Sequence, residues 1–279
     1  MKRLLLSLGS ILLISLVSAQ NMESCCVMDA TESYARNASD KKFVMSHEDP
    51  LPFHYESENG KDINFSTADG KEGHGWQVMA AKPTNYYIFV IHEWWGLNDY
   101  IKQETEKLSR DLGVNAIAID LYDNQVATTA DEAGKMMQAV SKERSENIIK
   151  GALAKVGDKV KIFTIGWCFG GGWSLQTTLM GGKQSVGCIM YYGQPEKNID
   201  RLKTLNCDVL GFFGNLDQWP SPQVVDEFAA NMDKAGKKLI LKRYEATHAF
   251  ANPSNPKYNK EATEDAYKNV LAFVKQRIK

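Results

Sequence analysis

The sequence predicts an α/β fold, a mostly parallel, doubly wound sheet entered through an antiparallel hairpin. Three observations carry this. Six β-rich runs lie in the second three-quarters of the chain, most of them apolar along their whole length rather than alternating, which marks strands covered on both faces. Helix-like stretches separate most of them. The first run is preceded by two short strand-like segments around a polar turn. Composition agrees, since 43% hydrophobic and 24% charged residues in a chain of 279 suit a packed globule with a sizeable core. The 33 Lys and Arg nearly cancel the 34 Asp and Glu, with no long block of either sign, which argues against a nucleic-acid partner.

In chain order, Lys2 and Arg3 precede an apolar run over residues 4–17, and the small residues Val17-Ser18-Ala19 follow. These are the parts of a secretory signal peptide, residues 1–19, cleaved after Ala19. The run is shorter than the ~20 apolar residues of a membrane span. The mature protein is therefore expected to be soluble and exported, periplasmic or extracellular, with no membrane contact once the signal is removed. Cys25 lacks the apolar and small-residue box of a lipid attachment site. Residues 20–60 are polar, carry Pro50 and Pro52, and have no sustained period. They read as an N-terminal arm, laid over the domain or partly disordered, and no chemistry is assigned to them.

Residues 61–279 read as one catalytic domain without repeat or linker. The hairpin strands are 63–67 and 76–81, flanking Asp69-Gly70-Lys71-Glu72-Gly73. The strands of the main sheet follow at 86–91, 114–119, 160–165, 186–192, 209–213 and 239–244. Helices are expected at 99–112, 129–156 (as one or two), 169–180, 222–235 and 261–278. Ligands of such sheets sit beyond the carboxyl ends of the strands, so function is sought in the residues just after each strand.

After strand 160–165 comes Gly166-Trp167-Cys168-Phe169-Gly170-Gly171-Gly172, and a helix begins at once. This is the strand, sharp turn and helix of a nucleophile elbow, with Cys168 as its central residue. Glycines are needed because side chains two residues from the nucleophile would collide with the crossing strand and helix. A thiol there faces a helix N-terminus, which favours the thiolate. The other readings are a buried cysteine in a Gly-rich turn or a phosphate-cradling turn. The absence of Gly-x-Gly-x-x-Gly and of a Gly-Lys-Ser/Thr ending argues against phosphate. Asp217 follows strand 209–213 and His248 follows strand 239–244, giving nucleophile, acid and base in the chain order of α/β-hydrolases.

The cysteines and a partial metal motif add limits. Five cysteines are an odd number in a compartment that permits disulfides, so at least one thiol is free or intermolecular. Adjacent Cys25 and Cys26 are poorly placed to bridge each other, and Cys188 and Cys207 are expected buried and reduced. His92-Glu93 opens like a zinc-protease helix motif, but position 96 is Gly rather than His. No metal and no cofactor are expected.

From residue 62 to the C-terminus the chain resembles the dienelactone hydrolase family. The resemblance rests on His92-Glu93-Trp94-Trp95-Gly96, Asp120-Leu121-Tyr122, Gly166-Trp167-Cys168-Phe169-Gly170-Gly171, Gly214-Asn215-Leu216-Asp217 and His248-Ala249-Phe250. It implies an α/β-hydrolase fold, a Cys168, Asp217, His248 triad, and a Glu93 that holds the resting thiol protonated. It also implies an oxyanion hole from the backbone N–H groups of Trp94 and Phe169. The pocket residues it points to are Trp95, Tyr122, Asn124, Trp219, Phe250 and Asn252, with Trp94 a further wall candidate. Members that hydrolyse dienelactone itself are expected to carry arginines where this chain has Asn124 and Asn252, and a neutral amide cannot replace a bidentate charged clamp. The expected substrate is thus a small ester or lactone without a carboxylate. The rival reading is a non-catalytic ligand-binding protein on the same fold. Nothing in the sequence sets the oligomeric state.

Overall fold

The computed structural model describes residues 30–278; the segment read as a signal peptide, with Cys25 and Cys26, lies outside them. Eight strands form one sheet in the order β1-β2-β4-β3-β5-β6-β7-β8. The entry hairpin is β1 (Gly60–Ser66) and β2 (Glu72–Val78), antiparallel to each other, and β2 is antiparallel to β4 (Asn115–Asp120). From β4 onward every pairing is parallel, through β3 (Tyr86–Ile91), β5 (Lys161–Trp167), β6 (Ser185–Tyr191), β7 (Val209–Gly214) and β8 (Leu239–Tyr244). This is an α/β-hydrolase fold. Continuous apolarity has its expected cause: β4 and β7 are buried at every position. The edge strand β8, with Lys242 and Arg243, is half-buried throughout.

The helices begin and end where local chemistry says they should. Helix α3 (Asp99–Leu112) starts at Asn98, whose side chain accepts the Ile101 N–H, and ends at Gly113 with φ 69°, the left-handed closure that glycine adopts without penalty. The 129–156 stretch is two helices. Thr129 and Glu132 form a capping box on α4 (Ala130–Ala139), and Ser141 caps α5 (Lys142–Val156). Helix α6 (Phe169–Gly181) is buried along nearly its whole length. Helix α7 (Ile199–Lys203), α8 (Pro222–Lys234) and α9 (Lys260–Lys275) complete the layers, with α3 packed on α9 and α5 on α6. No helix among the described residues is long and apolar enough to cross a membrane. Cys188 is buried and free as expected, whereas Cys207, also free, is only half-buried at the entrance to β7.

The described part of the arm is laid over the domain, the first of the two arrangements expected for it, and it is also helical. It forms two short helices, α1 (Ala30–Ala35) and α2 (Lys41–Met45), joined by a 3-10 turn. Tyr34 is 2% exposed and Phe43 is fully buried, both in the main core. Farther on, the arm is tied to α3, where Tyr55 donates its N–H to Asp99 and its hydroxyl to Glu106.

Candidate active site

Cys168 stands between β5 and α6 with φ 54° and ψ −119°, a conformation that costs a non-glycine residue about 1–3 kcal/mol. Its surroundings enforce it. The Cys168 N–H donates to the Tyr191 carbonyl at 3.0 Å, and its own carbonyl accepts the Gly171 N–H at 3.0 Å. A Cβ on Gly166 would run into the Gly170 carbonyl oxygen, and one on Gly170 into the carbonyls of Ile91 and His92. The crossing of β3, β5 and α6 is therefore closer than any side chain permits. Cys168 is the N-cap residue of α6, at the helix end whose dipole favours an anion.

Asp217, in the loop after β7, accepts the Trp219 N–H at 2.8 Å through Oδ1. Its other oxygen lies 2.8 Å from His248 Nδ1. A carboxylate here accepts only, so Nδ1 carries the proton and donates, and Nε2 is presented toward Cys168. Burial alone would push the His248 pKa down, but the Asp217 carboxylate and the Cys168 sulfur outweigh it and hold the imidazole well above its ordinary value. The three residues predicted from strand ends are thus brought to one buried centre.

A fourth group occupies that centre, and it comes from the arm. The Tyr34 hydroxyl is 3.1 Å from Cys168 Sγ and 3.3 Å from His248 Nε2. Burial and the neighbouring sulfur raise the Tyr34 pKa well above its usual value, so the phenol keeps its single proton. It can accept from the thiol while donating to Nε2, or donate to a thiolate while accepting from the imidazolium; either way it links the two. His47, just past α2, is also buried, with its ring 5.1 Å from that of His248 and 4.3 Å from that of Trp94. Phe43 packs edge-on against Tyr34, Trp94 and Trp219. Under this cover Cys168 is 1% exposed.

Glu93, after β3, is 5% exposed, and burial raises its pKa to about 7. Its oxygens accept from the Tyr192 hydroxyl at 3.1 Å and the Asn252 amide at 2.6 Å. Hydrogen-bond distance to Sγ is instead occupied by Tyr34, which differs from the contact the family resemblance implies for Glu93. Asn252 has a positioning place rather than an open one: its amide holds Glu93 and its carbonyl oxygen accepts from the Ser254 N–H and hydroxyl. His92 is structural. Its Nε2 accepts the Leu121 N–H at 3.0 Å and its Nδ1 donates to the Glu93 carbonyl, tying the ends of β3 and β4 together.

A cleft of about 700 Å3, counted with its open mouth, lies on the other side of Glu93. Trp95, Ile101, Trp167, Tyr191 and Asn252 line it, together with Glu104, whose carboxyl burial raises to about 7. Cys168 and His248 are not in its lining; Tyr34 of the arm stands against both. Among the expected pocket residues, Trp95 and Asn252 reach this cleft. Asn124 does not: it is exposed on a turn with φ 68°, its N–H bound to Asp120. Tyr122 is buried against the rings of His92 and Phe169, Phe250 is core between Tyr191, Tyr192 and Tyr244, and Trp219 packs under Phe43. Trp94 follows β3, and Phe169 is the first residue of α6. Sequence reasoning missed Tyr34 and His47: among the described residues of the arm the local helix signal is Asp40, which caps the five-residue α2.

Comparison with known proteins gives the family. A 28% identical protein of Saccharolobus solfataricus, provisionally named a carboxymethylenebutenolidase, aligns over 72% of this chain and 93% of its own length. A carboxymethylenebutenolidase of Pseudomonas sp. strain P51 is 28% identical over 41% of this chain and 48% of its own. The crystal structure of a protein from Klebsiella pneumoniae, provisionally named a dienelactone hydrolase, superposes with a TM-score of 0.65 at 21% identity, covering 78% of this chain and 99% of that one. The profile of the dienelactone hydrolase family matches residues 76–278, which hold β3 to β8, the elbow and every strand-end residue described above; the chain belongs to that family of hydrolases.

Proposed function

We propose that the chain is an exported hydrolase of small carboxylic esters or lactones, acting through Cys168, His248 and Asp217 with a thioester intermediate. The observation that carries the reading is His248 itself. Its Nδ1 is anchored on Asp217 at 2.8 Å, and its Nε2 is turned to the centre that Cys168 occupies at the strained head of α6.

His248 Nε2 takes the thiol proton, directly or across the Tyr34 hydroxyl, and Sγ attacks the carbonyl carbon. The new C–S bond forms as the carbonyl π pair moves to oxygen, where the N–H groups of Trp94 and Phe169 receive it, each contributing ~3 kcal/mol to the barrier reduction. Collapse breaks the C–O bond, and His248 returns the proton to the alcohol oxygen. Water, deprotonated by His248, then cleaves the thioester to the acid and restores the thiol. Trp95 and the aromatic cleft behind Glu93 suit an apolar acyl group, and a lining that carries Glu93 and Glu104 but no Lys or Arg suits a substrate without a carboxylate. Residues 1–19 as a signal peptide supply the export.

One observation favours the rival, a ligand-binding protein without turnover: the arm buries the nucleophile. A panel of p-nitrophenyl esters and small neutral lactones separates the two. Turnover is expected, and Cys168→Ala is expected to reduce it by at least ~1,000-fold with the fold intact. Residual activity above about a hundredth of wild type would contradict the nucleophile, and no turnover of any member would favour the rival.

A further inference from the structure

We propose that His47, Cys168 and His248 form a binding site for a zinc-class divalent cation, by which the arm holds the nucleophile in a reversibly blocked state. One ring nitrogen from each histidine and the Cys168 sulfur lie within 4.8 Å of one another, all on buried residues. An imidazole, an imidazole and a thiolate are the donor set that borderline and soft metals prefer over magnesium or calcium.

A catalytic Cys–His pair alone would not carry this; His47 does. Its Nδ1 lies 2.7 Å from the Phe43 carbonyl, which can only accept, so Nδ1 bears the proton and Nε2 the lone pair. That Nε2 is buried and has no hydrogen-bond partner. Leaving a buried acceptor unpaired is costly, and nothing in the hydrolytic cycle calls for it. His248 is prepared in the same way, its Nδ1 donating to Asp217 at 2.8 Å. An imidazole with its outer nitrogen fixed on an oxygen acceptor is how metal-ligating histidines are usually held. The two rings are therefore locked in matching tautomers with their second nitrogens available to one centre. The Tyr34 hydroxyl, 3.1 Å from Sγ and 3.3 Å from His248 Nε2, stands at the same centre, leaving the fourth tetrahedral position to an oxygen. The donors need to draw together by roughly 1 Å to reach Zn–S and Zn–N bond lengths of about 2.3 and 2.0 Å, and His47 lies in the loop just past α2 rather than within a helix or strand.

The binding step balances simply. The Cys168 and His248 pair carries one titrating proton, on sulfur or on Nε2; the cation binds both atoms and that proton leaves to solvent. No oxidant or reductant is involved. With Sγ and Nε2 both ligated, neither attack nor proton transfer is available. Inhibition in this form rests on the hydrolase reading above, whereas binding itself does not.

The test is a titration of the reduced full-length mature chain with Co2+, followed by displacement with Zn2+. One equivalent of Co2+ is expected, with tetrahedral visible bands and a thiolate-to-cobalt charge-transfer band that Zn2+ abolishes. His47→Asn, whose side-chain NH2 can still donate to the Phe43 carbonyl but which lacks the imidazole ligand, is expected to weaken binding at least about tenfold, and Cys168→Ser to eliminate the charge-transfer band. His47→Cys controls for undocking of the arm by His47→Asn: a soft donor from the same place should recover the affinity, which a displaced arm could not. Absence of the thiolate band in wild type, or equal affinity in His47→Asn, would overturn the proposal. Ester turnover read in parallel keeps the two claims apart. Turnover that saturating Zn2+ leaves unchanged overturns the metal site and spares the hydrolase, while a cobalt thiolate spectrum on a chain that turns over no ester supports the metal site and counts against the hydrolase.

Discussion

The strand ends and the N-terminal arm both deliver side chains to the same few ångströms, by different physics. Cys168, Asp217 and His248 are fixed by a sheet whose buried strands cannot slip, and each lies at the carboxyl end of its strand. Tyr34 arrives on a helix of six residues and His47 just past one of five, both too short to be stable alone. They hold their places through the contacts they make in the core. The difference teaches that a rigid frame can carry the reacting groups while a lightly held segment decides whether anything reaches them. Cys168 is 1% exposed, with the Tyr34 hydroxyl of the arm 3.1 Å from its sulfur.

The contrast can be broken from either side. On the frame side, His248→Ala should cost about 1,000-fold or more in kcat/KM, and adding Asp217→Ala should cost little further, because a carboxylate has nothing left to orient. Additive losses in the double-mutant cycle would separate the two residues and undo the triad. On the arm side, Phe43→Ala removes the ring that pins α2 against Trp94 and Trp219. A buried Phe→Ala change costs ~3–5 kcal/mol. If even a third of that falls on arm docking, iodoacetamide should alkylate Cys168 about tenfold faster or more. An unchanged labelling rate would mean that the arm is not what covers the thiol.

A smaller effect tests the floor of the site. Glu93 has its pKa raised by burial from 4.5 to about 7, so the fold favours its protonated form. The folded state then binds a proton that the unfolded chain has released, and stability falls as pH rises between these two values before levelling off. The loss is on the order of 3 kcal/mol. Glu93→Gln should flatten this part of the curve in urea denaturation between pH 4.5 and pH 8. Parallel curves for the two proteins would show that Glu93 is ionised in the fold at low pH.

The legible parts of the molecule were those with redundant local signals. Residues 86–91 and 239–244 read as strands with the observed bounds, and 99–112 as α3 with the observed bounds, because an apolar run or a capped, glycine-ended helix announces itself. Strand-end chemistry was legible because the fold dictates where to look. The arm was not. Tyr34 and Phe43 are buried by docking onto residues over a hundred positions away in some cases, as with Cys168, and a polar, non-periodic stretch carries no trace of that partner. Asn124 and Asn252 were placed together by family position, yet one ended in an exposed turn and the other against Glu93. Loop conformation, set by Asp120 at one and Ser254 at the other, decided where they point.

The most direct test of the account is to trap the acyl enzyme. The full-length mature chain is mixed with excess p-nitrophenyl acetate, quenched in acid within a few turnovers, and mapped by peptide mass spectrometry. The account predicts one hydroxylamine-labile acetyl group on the peptide containing Cys168, present in wild type, more abundant in Phe43→Ala, and missing in Cys168→Ala. Ester turnover without acylation of Cys168, or acylation at Cys188 or Cys207 in its place, would contradict it.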